Sequence, residues 1–291
     1  MRLKSYIKYL ISSLILLLLW SSFSAISLAT SADSDTPNIA SPSAVLMDAR
    51  TGIVLWERNM NERRYPASTT KVMTAIVVLE HFELSDTITI TSDSVEMVSP
   101  WHSTAGLVPG ENISIEQALY LIMVVSGNEV AYALAKHVSS TIDEFAVLMN
   151  DTARRIGLTD TNFTNPSGAH DDNQFTTAHD LALLGRYAMQ DDFFRLIAGT
   201  ATYVLPPTNI HSESRTYRTT NSLLTQNMPR YFFRDTTGIK TGFTTPAGRC
   251  LIASARRGDF ELITVVMGGG LAQNGSDERF LDTIELFRVR I

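Results

Sequence analysis

Tyr65-Pro66-Ala67-Ser68-Thr69-Thr70-Lys71-Val72-Met73-Thr74-Ala75 is the stretch from which the rest of the chain can be read. Pro66 has a fixed φ and keeps its predecessor out of the helical region, so the chain turns here and a helix begins just beyond. Val72, Ala75, Ile76 and Leu79 recur at helical spacing and give that helix an apolar face. Ser68 falls in its first turn, near the positive end of the helix dipole. Lys71 is three residues on, one helical turn away, so its amine can reach back to the Ser68 hydroxyl. A serine becomes nucleophilic beside a base, and a desolvated lysine can be that base. By itself the pattern says little, because Ser5-Tyr6-Ile7-Lys8 has the same spacing.

The chain has 291 residues, with 44% apolar and 19% charged side chains, which suits a globular protein with a sizeable core. Removing Arg2, Lys4 and Lys8 takes the net charge from −6 to −9. No nucleic-acid partner is expected of such a surface, since phosphate binding needs a basic face. Those three cations precede the apolar run Leu14 to Trp20 and the small-x-small site Ser27-Leu28-Ala29, the pattern of an export signal over 1–29. Cleavage after Ala29 is favoured; an uncleaved N-terminal membrane anchor is the alternative, since Tyr9 to Leu28 is about bilayer length. Either way the protein is expected to be exported to the cell envelope. Cys250 is the only cysteine, so no internal disulfide and no cysteine-based metal site can form. Its apolar neighbours place it in a buried strand.

Residues 30–43, rich in Ser, Asp, Pro and Ala, read as a flexible linker, and 44–291 as the functional domain. Ala44 to Met47 and Ile53 to Trp56 read as strands around a turn at Asp48 to Gly52. Ile88 to Ile90 is a short strand candidate, and Ser92 to Glu111 reads as irregular. Ser114-Ile115-Glu116-Gln117 and Thr141-Ile142-Asp143-Glu144 are capping boxes that open helices to about Val124 and Gly157. Glu129 to Val138, Ala178 to Met189 and Asp192 to Ala198 are further helices. Strands then return at Tyr203 to Leu205, Ile239 to Phe243, Cys250 to Ala255 and Leu262 to Met267. The last two are joined by a turn at Arg257 to Asp259. Ser276 to Val289 closes the chain as an amphipathic helix. This order predicts an α+β fold: one antiparallel sheet formed from both chain ends, flanked by helices, with a mainly helical region between.

Two more clusters bear chemistry. Ser126-Gly127-Asn128 lies at a break between helices, where a small-residue turn can push a hydroxyl and an amide into a cleft. Lys240-Thr241-Gly242 lies on a predicted strand, so Lys240 and Gly242 share one face and Thr241 takes the other. There the glycine admits a substrate backbone and the lysine supplies fixed charge for a carboxylate. Each triplet is common, but S-x-x-K, S-x-N and K-T-G in that order are not.

At these residues the chain resembles the D-alanyl-D-alanine carboxypeptidases, the low-molecular-mass serine-type penicillin-binding proteins. The likeness extends through Pro66 to Thr74, Ser126 to Ala131, Asn165-Pro166-Ser167-Gly168 and Gly238 to Ala255, and covers roughly Ala44 to Phe287. The resemblance implies a β-lactamase/DD-peptidase-like fold and removal of the terminal D-alanine from peptidoglycan pentapeptide stems through a Ser68 acyl-enzyme. It makes Ser68, Lys71 and Ser126 catalytic, with Ser126 passing the proton to the leaving amine. It assigns Asn128, Lys240, Thr241, Gly242 and Phe243 to substrate binding, with the backbone N–H groups of Ser68 and Phe243 as the oxyanion hole. Lys71 must be neutral, and burial together with the Lys240 charge would lower its pKa. No metal or cofactor is called for, and β-lactams are expected as covalent inhibitors of Ser68. Family members often continue into a β-rich C-terminal domain and a membrane-anchoring helix; none is expected here, which leaves membrane association peripheral or N-terminal. Glu129 replaces a common aspartate, and Gly268-Gly269-Gly270 stands where some members carry an arginine near the substrate carboxylate.

His170, Asp171, Asp172, His179 and Asp180 form no H-E-x-x-H pattern and read as loop and cap residues rather than metal ligands. Trp101-His102 is a candidate border of the cleft. Three rivals to the carboxypeptidase remain. A DD-endopeptidase would use the same machinery on a larger substrate. A secreted β-lactamase needs a fast deacylating base, but no E-x-x-L-N segment follows the second cluster. A non-catalytic peptidoglycan-binding module would not require Ser68, Lys71 and Lys240 together.

Overall fold

Apolar side chains alternate along the strands at both ends of the chain, and that alternation fixes the architecture. The computed structural model describes residues 36–289. The strands are β1 (Ser43–Asp48), β2 (Val54–Arg58), β7 (Thr236–Thr244), β8 (Gly248–Arg257) and β9 (Phe260–Gly269). They form one antiparallel sheet in the order β2-β1-β9-β8-β7, so the first and last strands of the chain lie side by side at its centre. Val45, Met47, Cys250, Ile252, Ile263, Val265 and Met267 point to one face, where the helical region packs. Ala44, Leu46, Leu251, Ala253 and Val266 point to the other.

That second face is covered by the last helix, α8 (Glu278–Phe287), through Phe280, Ile284 and Phe287. Burying each such side chain contributes roughly 1.5–3 kcal/mol. The first face receives α6 (Ala178–Ala188) and, behind it, α1 (Lys71–Leu79), whose residues Lys71 to Val78 are all buried. α3 (Ile115–Val124), α4 (Asn128–Val138), α5 (Ile142–Arg155) and α7 (Asp192–Ala198) complete the helical region. Both expected capping boxes form: the Ser114 and Thr141 side chains accept from the N–H of Gln117 and Glu144, which reach back in turn. Each cap is worth about 1 kcal/mol.

The structure departs from the expectations in four places. Ser92 to Glu111 is not wholly irregular: it contains the short helix α2 (Ser92–Glu96). A strand β4 (Asn112–Ser114) pairs with β3 (Thr87–Thr89), and β6 (Arg215–Arg218) pairs with β5 (Thr202–Leu205). Neither β4 nor β6 has the apolar run that marks a strand in sequence. Residues 37–43 are not a loose linker either. Ile39 is buried, and the N–H groups of Ala40 and Ser41 donate to the Asp282 carboxylate of α8. The export signal expected over 1–29, and positions 30–35 of the expected linker, lie outside the described residues. Among those described, no helix is long and apolar enough to cross a membrane.

Candidate active site

Pro66 is helical (φ −75°, ψ −24°) and opens a 3-10 turn, Ala67–Thr70, that runs directly into α1. Within that turn Ala67 takes φ 48°, an uncommon conformation for a residue with a side chain. Ser68 is thereby lifted into a cleft of about 220 Å³, while Lys71 begins the buried helix behind it. The Lys71 amine lies 3.3 Å from the Ser68 hydroxyl, 2.6 Å from Asn128 Oδ1 and 2.6 Å from the carbonyl of Ser167. Burial pushes its pKa well below the ordinary lysine value; the Lys240 charge adds to this, and Glu129 pulls the other way.

Ser126 and Asn128 come from the break between α3 and α4, as expected. Ser126 adopts φ 66° and lines the cleft with its buried hydroxyl unpaired. A non-glycine residue held there costs of the order of 1–3 kcal/mol, the kind of strain found at functional sites. The Asn128 amide is shared between the cleft and its wall: its oxygen accepts from Lys71 and its Nδ2 donates to the Ser103 carbonyl.

β7 is the edge strand beside the 3-10 turn. Lys240 and Gly242 pair with Ile252 and Cys250 and so share a face; Thr241, paired with Leu251, takes the other. Any Cβ on Gly242 would stand 3.0 Å from the Pro66 carbonyl and 3.1 Å from the Ser68 nitrogen, so the glycine sets how closely β7 approaches the serine. Thr241, Gly242 and Phe243 line the cleft, with the Thr241 hydroxyl 2.5 Å from that of Thr220. Lys240 differs from expectation: it is buried, donates to the Thr241 carbonyl at 3.0 Å, and has a pKa lowered to about 7 by burial and then by Arg279. Its charge near neutral pH is therefore conditional rather than fixed.

Three features of the site were not assigned from sequence. Arg279, at the start of α8, lines the cleft with its guanidinium. It donates to the Gly242 carbonyl at 3.0 Å and pairs with Asp277, also at 3.0 Å. Because a peptide unit is planar, holding the Gly242 carbonyl also fixes the Phe243 N–H on its opposite side. The glycines at 268–270 therefore do not leave the cleft without an arginine; it comes from the helix that follows. Thr220 is the second, and nothing local marks it. The third is Ser167-Gly168, which closes the floor. Gly168 has φ 81°, and a Cβ there would lie 1.9 Å from the Ala67 carbonyl. Asn165 Oδ1 fixes this turn by accepting from the N–H groups of Ser167 and Gly168. The sequence shows Asn165-Pro166-Ser167-Gly168 as one of the family-like segments, but neither its turn nor its partner.

Cys250 is buried behind β7 with its thiol pKa pushed up to about 11 by burial, which fits a packing role. His170 packs edge-on against Tyr65 at 4.6 Å, and Asp180 accepts from the Asp160 N–H and the Thr161 hydroxyl.

A family profile described as D-alanyl-D-alanine carboxypeptidase matches residues 29–270. The chain is 32% identical over 231 residues to the D-alanyl-D-alanine carboxypeptidase DacF of Bacillus subtilis, covering 78% of this chain and 57% of the relative. It is 34% identical over 245 residues to DacC of Escherichia coli, covering 80% and 58%. The chain thus spans somewhat under three-fifths of the length of these two relatives. The solved Streptomyces K15 DD-transpeptidase superimposes with a TM-score of 0.79 at 29% identity, covering 87% of this chain and 98% of that one. A D-alanyl-D-alanine carboxypeptidase from Mycobacterium tuberculosis gives 0.78 at 27% identity, covering 87% and 92%.

Proposed function

Because the chain belongs to the D-alanyl-D-alanine carboxypeptidase family, we propose that it removes the terminal D-alanine from peptidoglycan stems ending in D-Ala-D-Ala, through an acyl-enzyme on Ser68. One observation carries the reading. A neutral amine has two N–H donors and one lone pair. The Lys71 amine has two acceptors at 2.6 Å, Asn128 Oδ1 and the Ser167 carbonyl, which occupy both hydrogens. With Lys71 neutral, as its lowered pKa favours, the lone pair would be left for the proton of the Ser68 hydroxyl at 3.3 Å. A charged ammonium would instead turn a third hydrogen toward Ser68 and could accept nothing.

In this reading Ser68 Oγ attacks the carbonyl of the penultimate D-alanine while Lys71 takes its proton. The developing oxyanion meets the N–H groups of Ser68 and Phe243, each donor being worth roughly 3–4 kcal/mol. Ser126 gives its hydroxyl proton to the leaving amine and regains one from Lys71, which thereby passes on the proton it took from Ser68; the Ser126 hydroxyl has no other partner among the described residues. The terminal carboxylate lies toward Thr241 and Arg279, with Lys240 gaining its proton as the anion arrives. Water then hydrolyses the ester. β-Lactams are expected to acylate the same serine, and export through the N-terminal segment would bring the enzyme to its substrate in the cell envelope.

Incubation with a disaccharide pentapeptide followed by mass measurement tests the proposal. Loss of one alanine is expected from the wild type and none from Ser68→Ala. Conversion of a cross-linked dimer into its two monomers, by hydrolysis of the amide between D-alanine and the diamino acid, in preference to alanine release would favour the endopeptidase instead. Rapid turnover of a cephalosporin would favour the β-lactamase.

A further inference from the structure

Ser99-Pro100-Trp101-His102 forms a turn closed by a 2.9 Å bond from the His102 N–H to the Ser99 carbonyl. Serine at its first position and proline at its second are the residues such a turn favours, so the conformation is set before anything binds. Trp101 sits at the tip. Its side chain lines the cleft yet is 93% exposed, the most exposed of the large apolar residues described. Single exposed apolar side chains are ordinary on a protein surface. Trp101 is set apart by its place and by its support.

The support is substantial. Immediately after the turn, the Ser103 carbonyl accepts from both the backbone N–H and the side chain of Asn128, at 3.0 and 2.9 Å. Glu129 Oε1 accepts from the N–H groups of Ala105 and Leu107 at 2.7 and 3.3 Å, from a carboxylate that is itself buried. The Tyr217 hydroxyl donates to the Ala105 carbonyl at 2.7 Å. A second buried carboxylate, Glu111, takes the Val108 N–H at 3.2 Å and pairs with Arg215. Two buried acids and a tyrosine thus hold the base of a loop whose tip carries an unpacked indole. On the strand side of the cleft Phe243 is 55% exposed, with the Arg249 guanidinium 5.2 Å from its ring centre.

Resting on the carboxypeptidase reading above, we propose that Trp101 is a specificity residue that packs on the C–H-rich part of the substrate beyond the D-Ala-D-Ala unit. Two portions of a peptidoglycan stem offer such a face: the methylenes of its diamino acid and the ring of its amino sugar. The backbone that presents the indole is already held, and a tryptophan has only two side-chain torsions to fix on contact, which suits it to this work.

The test compares kcat/KM of wild type, Trp101→Ala and Trp101→Phe on three substrates: N-acetyl-D-Ala-D-Ala, a free pentapeptide with lysine at its third position, and the same pentapeptide on its disaccharide. The expected loss in Trp101→Ala grows with the substrate, being about five- to tenfold greater on a longer one than on the dipeptide. It falls mainly on KM, and Trp101→Phe recovers part of it. Extra loss already present with the free pentapeptide identifies the stem residue; extra loss only with the disaccharide identifies the sugar. An equal effect on all three substrates, or none on any, overturns the role of Trp101 and leaves the carboxypeptidase reading intact. A wild type inert toward all three overturns that reading and this inference with it. Melting temperatures matching wild type report that the variants fold.

Discussion

The Lys71 amine is closer to the side-chain oxygen of Asn128, at 2.6 Å, than to the Ser68 hydroxyl it faces, at 3.3 Å. The amide therefore orients the base, and the serine reaches it through the one direction left open.

Asn128→Ala leaves a buried N–H of Lys71 without its acceptor, at a cost of about 1–3 kcal/mol. Acylation by a fluorescent penicillin should slow by roughly ten- to a hundredfold, a tenfold change being about 1.4 kcal/mol. Asn128→Asp should act differently. A carboxylate in that place favours the ammonium, raises the Lys71 pKa and moves the acid limb of the acylation rate to higher pH. An unmoved limb would exclude Lys71 as the base.

Lys240 and Glu129 push the Lys71 pKa in opposite directions, the first down and the second up. Lys240→Gln removes a positive neighbour, so the acid limb should shift to higher pH. Glu129→Gln removes a negative one, so the limb should shift to lower pH while Gln Oε1 keeps the two loop N–H bonds. Rates of acylation measured across pH 5 to about 10 decide both signs in one experiment.

Stability should also depend on pH through Lys240. Its folded pKa of about 7 lies below the 10.5 of an unperturbed lysine. Between these values the unfolded chain binds the extra proton, so stability rises with pH across that window and is lost as pH falls toward the folded value. Thermal melting of the wild type should therefore show an upward trend over this range that Lys240→Met flattens.

Arg279→Ala removes a charged donor from the Gly242 carbonyl and a cation from the cleft. Hydrogen bonds to charged groups contribute about 1.5–3 kcal/mol, so kcat/KM for a D-Ala-D-Ala substrate should fall by roughly ten- to a hundredfold. An amide-capped substrate lacking the free carboxylate should be far less affected by the substitution, because only the carbonyl-positioning part remains to be lost.

Gly168→Ala should abolish acylation. The added methyl group would meet the Ala67 carbonyl at 1.9 Å, and a left-handed φ is itself unfavourable for alanine. The serine-bearing turn and the lysine acceptor at Ser167 would be displaced together. Full labelling of this variant by penicillin would show that the turn tolerates far more movement than its geometry implies.

Local signals read best from the sequence. The capping boxes at Ser114 and Thr141 predict helix starts because their bonds close within four residues, and the continuous apolar runs of β8 and β9 mark them as strands covered on both faces. The Ser68 and Lys71 pairing was legible for the same reason, the two lying three residues apart where the 3-10 turn runs into α1. What was missed depends on distant partners. Arg279 reads as an ordinary residue on an amphipathic helix until α8 is laid across the sheet beside Gly242. Residues 37–43 have the composition of a linker, and the partners that hold them, Arg58, Asn59 and Asp282, lie farther along the chain. β6 is short and polar, so nothing but its pairing with β5 marks it as a strand.

Placing the first and last strands next to each other has a temporal consequence. A ribosome delivers Ser68 and Lys71 well before β7, which flanks them, and Arg279, which braces it. Through that interval the polypeptide carries Ser68 without the strand and the guanidinium that border its cleft. The cleft around Ser68 is thus completed only once β9 has paired with β1 and carried β7 into place.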